Sequence, residues 1–150
     1  MSKTRVVVTG LGVCAPNGVG IDAFTEALMQ GKSGIRFFSE LEKLKFSCQI
    51  GGMPLISETV KSKYFTPLQL RNFNSAGILY GVVAGVEAWQ DAGLPIDEET
   101  CDFDSGTIFG VGSLGVDKYR ESIYKIDEGN TRRLGSTSVQ QTMSSGVSGY

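Results

Sequence analysis

Arg5-Val6-Val7-Val8-Thr9-Gly10-Leu11-Gly12 is the stretch on which the fold turns. A continuous β-branched run closed by glycine predicts a strand buried on both faces over residues 5–9. Its counterpart, Ser105-Gly106-Thr107-Ile108-Phe109-Gly110-Val111, predicts a second buried strand leading into Gly112-Ser113-Leu114-Gly115. Between the two lies the strongest helical signal, over residues 76–92, where Ile78, Leu79, Val82, Val83, Val86, Ala88 and Trp89 cover most of the surface. Gly77, Gly81 and Gly85 recur along it at every fourth position and would admit a close neighbour. Strand, helix and strand in that order predict an α/β fold with parallel pairing.

Working outward, Gly10 to Gly20 is a turn-rich connection holding Pro16 and Asn17-Gly18. Asp22 is the expected cap of a helix over 23–30, which Gly31 ends. Residues 39–44 predict a short charged helical turn, and 45–53 a strand with Phe46, Cys48 and Ile50 on one side. Thr66-Pro67 signals a helix start, while Gly93 caps the long helix and Leu94-Pro95 stops it. Residues 119–126 read as helix, 127–130 as loop, and 138–150 as another helix or packed segment. In that last segment Val139, Met143, Val147 and Tyr150 would share an apolar face. A domain ending there would leave the face unpaired, so another chain, or the rest of a longer polypeptide, is expected to cover it. No repeat or linker divides the chain, and no internal boundary is expected within residues 1–150.

The 150 residues carry 14 Lys+Arg against 16 Asp+Glu, a net charge of −2, with 41% hydrophobic and 20% charged residues. That balance belongs to a folded, soluble chain with no overall pull toward nucleic acid or an anionic membrane. No apolar run approaches the roughly 20 residues of a membrane span, and residues 6–8 are too short an apolar run for a signal peptide. Histidine is absent altogether. A Ser-His-Asp triad, a Cys-His pair or a histidine metal site therefore cannot be built from this chain alone. Cys14, Cys48 and Cys101 lie far apart without CxxC spacing, which points to free thiols in a reducing, cytoplasmic setting.

The motifs that resemble sites have plainer readings. Gly10-Leu11-Gly12 and Gly110-Val111-Gly112-Ser113-Leu114-Gly115 look like dinucleotide fingerprints. After the first, Pro16, Asn17, Gly18 and Gly20 delay the helix whose amides would meet a pyrophosphate; the second lacks a following acidic residue. Structural turns are favoured for both. Without histidine, only a helix N-terminus or a nearby cation would activate a thiol. Asp97-Glu98-Glu99 and Asp127-Glu128 read as solvated loops, and Lys43, Lys45, Lys61, Lys63 and Arg71 as at most a mild positive face.

A resemblance says more. Val6-Val7-Val8-Thr9-Gly10-Leu11-Gly12, then Pro16-Asn17-Gly18, resembles the opening of the β-ketoacyl-acyl-carrier-protein synthases. Phe24 with Leu28, and Gly31-Lys32-Ser33-Gly34-Ile35, continue the likeness. The helix running from Gly81 to Leu94, the turn Gly110-Val111-Gly112-Ser113-Leu114-Gly115 and the segment Ser144-Ser145-Gly146-Val147-Ser148-Gly149 follow in the family's order.

The resemblance implies the N-terminal part of a thiolase-like layered αβαβα fold and a decarboxylative Claisen condensation in fatty-acid or related polyketide synthesis. Its implied partners are acyl-carrier protein and acyl and malonyl thioesters. It implies a homodimer, with a nucleophile-lacking, chain-length-determining subunit of a heterodimer as the alternative. Neither cofactor nor metal is implied. The family's nucleophilic cysteine and two histidines have no counterpart here and are expected beyond Tyr150, so this chain alone is expected to be inactive. Gly112 and Ser113 match the family's acyl-pocket position, where serine leaves room for a chain; a turn role serves Ser113 equally well. Residues 135–139, with Ser136 and Ser138, match a stretch that reaches the dimer interface and lines the partner's pocket. Arg71 matches a carrier-protein contact, although Leu68 and Asn72 stand where relatives often carry further basic residues.

Overall fold

The computed structural model describes residues 4–96 and 103–150. Cys101 and the carboxylates of residues 97–99 lie outside the described residues. The contacts fall into two compact units, Met1–Ile56 with Val83–Ile96 and Ser57–Val82 with Asp97–Tyr150.

In the first unit a hairpin pairs β1 (Cys14–Ala15) with β2 (Gly18–Val19), antiparallel, around the Pro16-Asn17 turn. Helix α1 (Ile21–Met29) follows directly. Its cap is Gly20 rather than the expected Asp22, which stands in the first turn, where a carboxylate still favours the helix dipole. Gly31, at φ +64, ends it as anticipated. A second hairpin pairs β3 (Ile35–Phe37) with β4 (Ile50–Gly52), antiparallel, with Phe37 opposite Ile50. Between them lies the short charged helix α2 (Ser39–Lys43).

The second unit opens with α3 (Glu58–Tyr64), capped by the Ser57 side chain, a helix without a forecast. Helix α4 (Pro67–Asn72) starts at the expected Thr66-Pro67, where Thr66 and Gln69 form a reciprocal capping box. The long helix α5 (Ala76–Asp91) stands where the apolar pattern put it. It begins in the second unit and ends in the first. In the second unit, Ile78 is fully buried and Leu79 and Val82 nearly so, with Leu114 and Val147. A full-sized aliphatic side chain buried to that degree contributes roughly 1.5–3 kcal/mol. Gly77 and Gly81 make room for these neighbours: a Cβ on the first would overlap Leu114, and on the second Val147. Helix α6 (Val116–Asp127) begins a turn earlier than its pattern suggested.

The strand expected over 45–53 shortens to Ile50–Gly52, and Lys45, at φ +57, lies in a turn. Two further expectations are overturned. Residues 5–9 and 105–111 are not strands, and every sheet among the described residues is an antiparallel pair. Val6 is 94% exposed and Ile108 99%. A buried strand needs a ladder on both edges, and neither run finds one among the described residues. The final segment is also not one helix but a series of 3₁₀ turns, at Gln140–Thr142 and Ser144–Gly146. The forecast apolar face is therefore split. Val147 is buried and Tyr150 packs edge-on against Phe73 at 5.3 Å, whereas Val139 and Met143 are exposed. The thiolase-like α/β fold itself stands on structural likeness, described below.

Candidate functional site

The first glycine cluster is built for packing. A Cβ on Gly12 would overlap the Ala84 carbonyl oxygen and lie 2.6 Å from the Ala88 nitrogen. On Gly10 it would overlap the Ala88 carbonyl oxygen and lie 2.5 Å from the Ala92 nitrogen. The amides a pyrophosphate would require are already spent. Leu11 N–H donates to Asp91 Oδ2 at 2.8 Å. Val13 N–H donates to Glu87 Oε2 at 2.8 Å and Ile21 N–H to Glu87 Oε1 at 2.7 Å. Two carboxylates facing the loop would repel a phosphate as well.

The second cluster also argues against a nucleotide. Gly115, at φ +65, caps α6, and a Cβ there would overlap the Gln141 carbonyl oxygen. Asp117 places a carboxylate in the first turn of α6, where it accepts the Ala76 N–H at 3.3 Å. An anion at that helix end would meet a like charge.

Cys14 is no nucleophile in this setting. Burial, with the Glu87 carboxylate adding to it, pushes its thiol up to about 11. Only thiolate attacks an alkylating reagent, so at pH 8 Cys48, which is exposed, should be carbamidomethylated well before Cys14. Peptide mass mapping over time checks this; equal rates at the two thiols would contradict the placement of Cys14.

A polar cavity of about 310 Å³ in the second unit gathers Arg71, Ser136 and Ser138, three of the residues singled out in the sequence. Gln141, 5% exposed, holds its wall together. Its Oε1 accepts the Asn74 N–H at 2.8 Å and the Ser75 N–H at 3.0 Å, filling donors at the start of α5. Its Nε2 donates to Thr137 Oγ1 at 3.4 Å, and that hydroxyl donates to the Asn72 carbonyl at 2.7 Å. Ser138 is held locally, its hydroxyl donating to the carbonyls of Leu134 and Gly135.

The opposite lining is charged. Glu121 accepts from Lys118 at 2.8 Å and from Lys125 at 2.6 Å. These two hydrogen bonds hold the Glu121 carboxyl down to about 2, so it stays ionised across the usual pH range. Lys125 also donates to the Arg133 carbonyl at 3.1 Å. Among the described residues neither Arg71 nor Arg133 has an ion-pair partner.

Of the residues singled out in the sequence, the structure brings only some together. Arg71, Ser136 and Ser138 share the cavity; Gly112 and Ser113 are exposed and do not line it. Gln141, Glu121, Lys118 and Lys125 had no role in the sequence reading. The Lys118/Glu121/Lys125 spacing was the available signal for one group; no local pattern marks Gln141. Among the described residues no cluster of His, Cys, Asp or Glu suits a metal ion, and no helix is long and apolar enough to cross a membrane.

Comparison with known proteins agrees over nearly the whole chain. Residues 3–150 match the family described as beta-ketoacyl synthase, N-terminal domain. A 3-oxoacyl-[acyl-carrier-protein] synthase 2 from Vibrio harveyi is 32% identical over 149 residues, covering 99% of this chain and 35% of the relative. The crystal structure of a beta-ketoacyl synthase from Burkholderia phymatum superposes with a TM-score of 0.77 at 23% identity, over 97% of this chain and 35% of that one. The ishigamide ketosynthase/chain length factor superposes with a TM-score of 0.65 at 21% identity, over 93% of this chain and 34% of that one. The chain spans about a third of the length of these relatives, and it belongs to the β-ketoacyl synthase family through that family's N-terminal domain.

Proposed function

We propose that this chain is the N-terminal part of a 3-oxoacyl-[acyl-carrier-protein] synthase that joins an acyl thioester to malonyl-carrier protein. The observation that carries this reading is the family match along residues 3–150. In the condensation, a cysteine thiolate takes the acyl group from its thioester and the carrier thiol leaves. Malonyl thioester then loses CO2, and the electron pair of the broken C–C bond attacks the acyl carbonyl. The cysteine thiolate is expelled and a 3-oxoacyl thioester is released. This chain supplies none of those reacting groups: its sequence holds no histidine, and Cys14 is blunted by its surroundings. In this reading the cysteine and two histidines come from residues outside it, and the 150 residues alone are inactive. The unladdered apolar runs at Val6–Val8 and Ile108 suit strands whose neighbours come from that remainder.

The parts kept here are those of reception. Arg71 contacts the acidic carrier protein, Ser136 and Ser138 lie along the path of the acyl thioester, and Gly112 and Ser113 leave room for its chain. The assembly is a homodimer in the cytoplasm. A second reading, in which the whole protein is a nucleophile-free partner that sets chain length in a heterodimer, is favoured by the likeness to the ketosynthase/chain length factor pair.

The residue at the family's nucleophile position in the longer polypeptide separates the two readings. Replacing a cysteine there with alanine should abolish condensation; a glutamine already in its place would leave only the second reading. In the active polypeptide, Ser113→Phe should cut turnover of long acyl substrates by roughly tenfold or more while sparing the shortest, by filling the space serine leaves. Mass spectrometry of the products checks this, and an unchanged chain-length profile would remove Ser113 from the acyl pocket.

A further inference from the structure

We propose that Thr137 and Gln141 are positioning residues of the condensation, holding the stretch with Ser136 and Ser138 in register with Arg71; this rests on the function proposed above. Helix α4 ends at Asn72 and α5 begins at Ala76. The corner between them therefore holds carbonyls left over from one helix and amides left over from the other. Residues far along the chain close both sets. Thr137 Oγ1 donates to the Asn72 carbonyl at 2.7 Å, across 65 positions. Gln141 Oε1 accepts the Asn74 N–H at 2.8 Å and the Ser75 N–H at 3.0 Å, across 67 and 66 positions. The two side chains are also tied to each other. Gln141 N–H donates to the Thr137 carbonyl at 3.0 Å, and Gln141 Nε2 to Thr137 Oγ1 at 3.4 Å.

Arg71 directly precedes Asn72, and Ser136 and Ser138 flank Thr137. One hydroxyl thus links the residue proposed to meet the carrier protein with the pair proposed to line the acyl path. The Ser138 hydroxyl donates to the carbonyls of Leu134 and Gly135, which shapes the stretch without anchoring it to α4. Gln141 is 5% exposed, so its amide has no room to swing into water. Its backbone carbonyl lies against Gly115, where a Cβ would overlap it, two residues after Ser113. A buried amide bonded at both ends fixes the residues beside it before substrate arrives, and so lowers the cost of ordering them on binding.

Thr137→Val is the discriminating variant, because valine keeps the shape of threonine and leaves Gln141 to cap α5. In the longer polypeptide, KM for hexanoyl- and dodecanoyl-carrier protein should rise roughly threefold to tenfold, with kcat held within about twofold. Thr137→Ser keeps the hydroxyl and should restore KM. Thr25→Val, at an exposed threonine of α1, should change neither constant. A purely structural role would instead lower the active fraction, and with it kcat, at unchanged KM.

Hydrogen exchange on the 150-residue chain reads the same bonds without turnover. Thr137→Val should speed exchange across residues 134–140 and leave the Asn74 and Ser75 amides protected, whereas Gln141→Met should unprotect both amides. Unchanged exchange in both variants would overturn the inference. So would an unchanged KM in Thr137→Val, a fall in kcat alone, or no recovery in Thr137→Ser, each with the condensation itself intact. No product from the unmodified longer polypeptide would overturn the function on which the inference rests, whatever the exchange shows.

Discussion

Gly12→Ala is expected to destabilise the first unit by about 3 kcal/mol, at the upper end of what forced overpacking costs. The new Cβ would overlap the Ala84 carbonyl oxygen and come within 2.6 Å of the Ala88 nitrogen. Both obstacles are backbone atoms of α5, which cannot rotate aside as a side chain would. For a chain of this size the loss corresponds to a fall in Tm of roughly 6–12 °C. Gly106→Ala is the control, because nothing lies within 4 Å of a Cβ there. It should shift the midpoint little in either direction. Thermal unfolding of the two variants checks the contrast, and a Gly12→Ala protein as stable as Gly106→Ala would mean that the loop does not lie against the helix.

Glu87→Ala should be almost as damaging, through a different cause. One carboxylate accepts both the Val13 and Ile21 amides, 74 and 66 positions away in sequence. Removing it leaves two part-buried donors unpaired, at a cost of roughly 2–4 kcal/mol together. Glu87→Gln keeps one acceptor oxygen but turns an amide donor toward the other N–H, so it should recover only part of the loss. The same carboxylate helps to hold the Cys14 thiol protonated. Its removal should therefore speed alkylation of Cys14 while leaving Cys48 unchanged. Hydrogen exchange at Val13 and Ile21 is the direct readout. Native protection at both amides in Glu87→Ala would show that the carboxylate is not their acceptor.

These two variants bear on what the opening motif is. A glycine-rich turn after an apolar run invites a nucleotide reading, and its two glycines are indeed required by close approach. The approach is to the backbone of α5, however, and the loop amides are closed by Glu87 and Asp91. A bound phosphate would have to displace both carboxylates.

What could be read from the sequence follows the range of the interactions. Helix α5 was legible because its apolar residues repeat locally. The start of α4 was legible because Thr66 and Gln69 are three apart, and α1 ends where Gly31 takes φ +64. Over 5–9 and 105–111 the sequence misled, since a β-branched run states a preference for a strand but does not name the strand that will pair with it. The site divides along the same line. Arg71, Ser136 and Ser138 came through resemblance, and the cavity brings them together. Gln141, which ties Asn74 and Ser75 to Thr137, has no local mark: its amide partners lie 67 and 66 residues away. Ser113 lies outside the cavity, so its part in the acyl pocket rests on the proposal and not on the geometry found here.

The central claim is that these residues form the receiving front of a condensing enzyme whose reacting groups lie elsewhere in the polypeptide. Mass-spectrometric detection of 3-oxoacyl-carrier protein, formed from acyl- and malonyl-carrier protein, tests it most directly. The 150 residues alone should give none, and a longer polypeptide continuing past Tyr150 through the family's cysteine and histidines should give the 3-oxoacyl product. Product from the 150 residues alone, or none from the longer folded polypeptide, would contradict it.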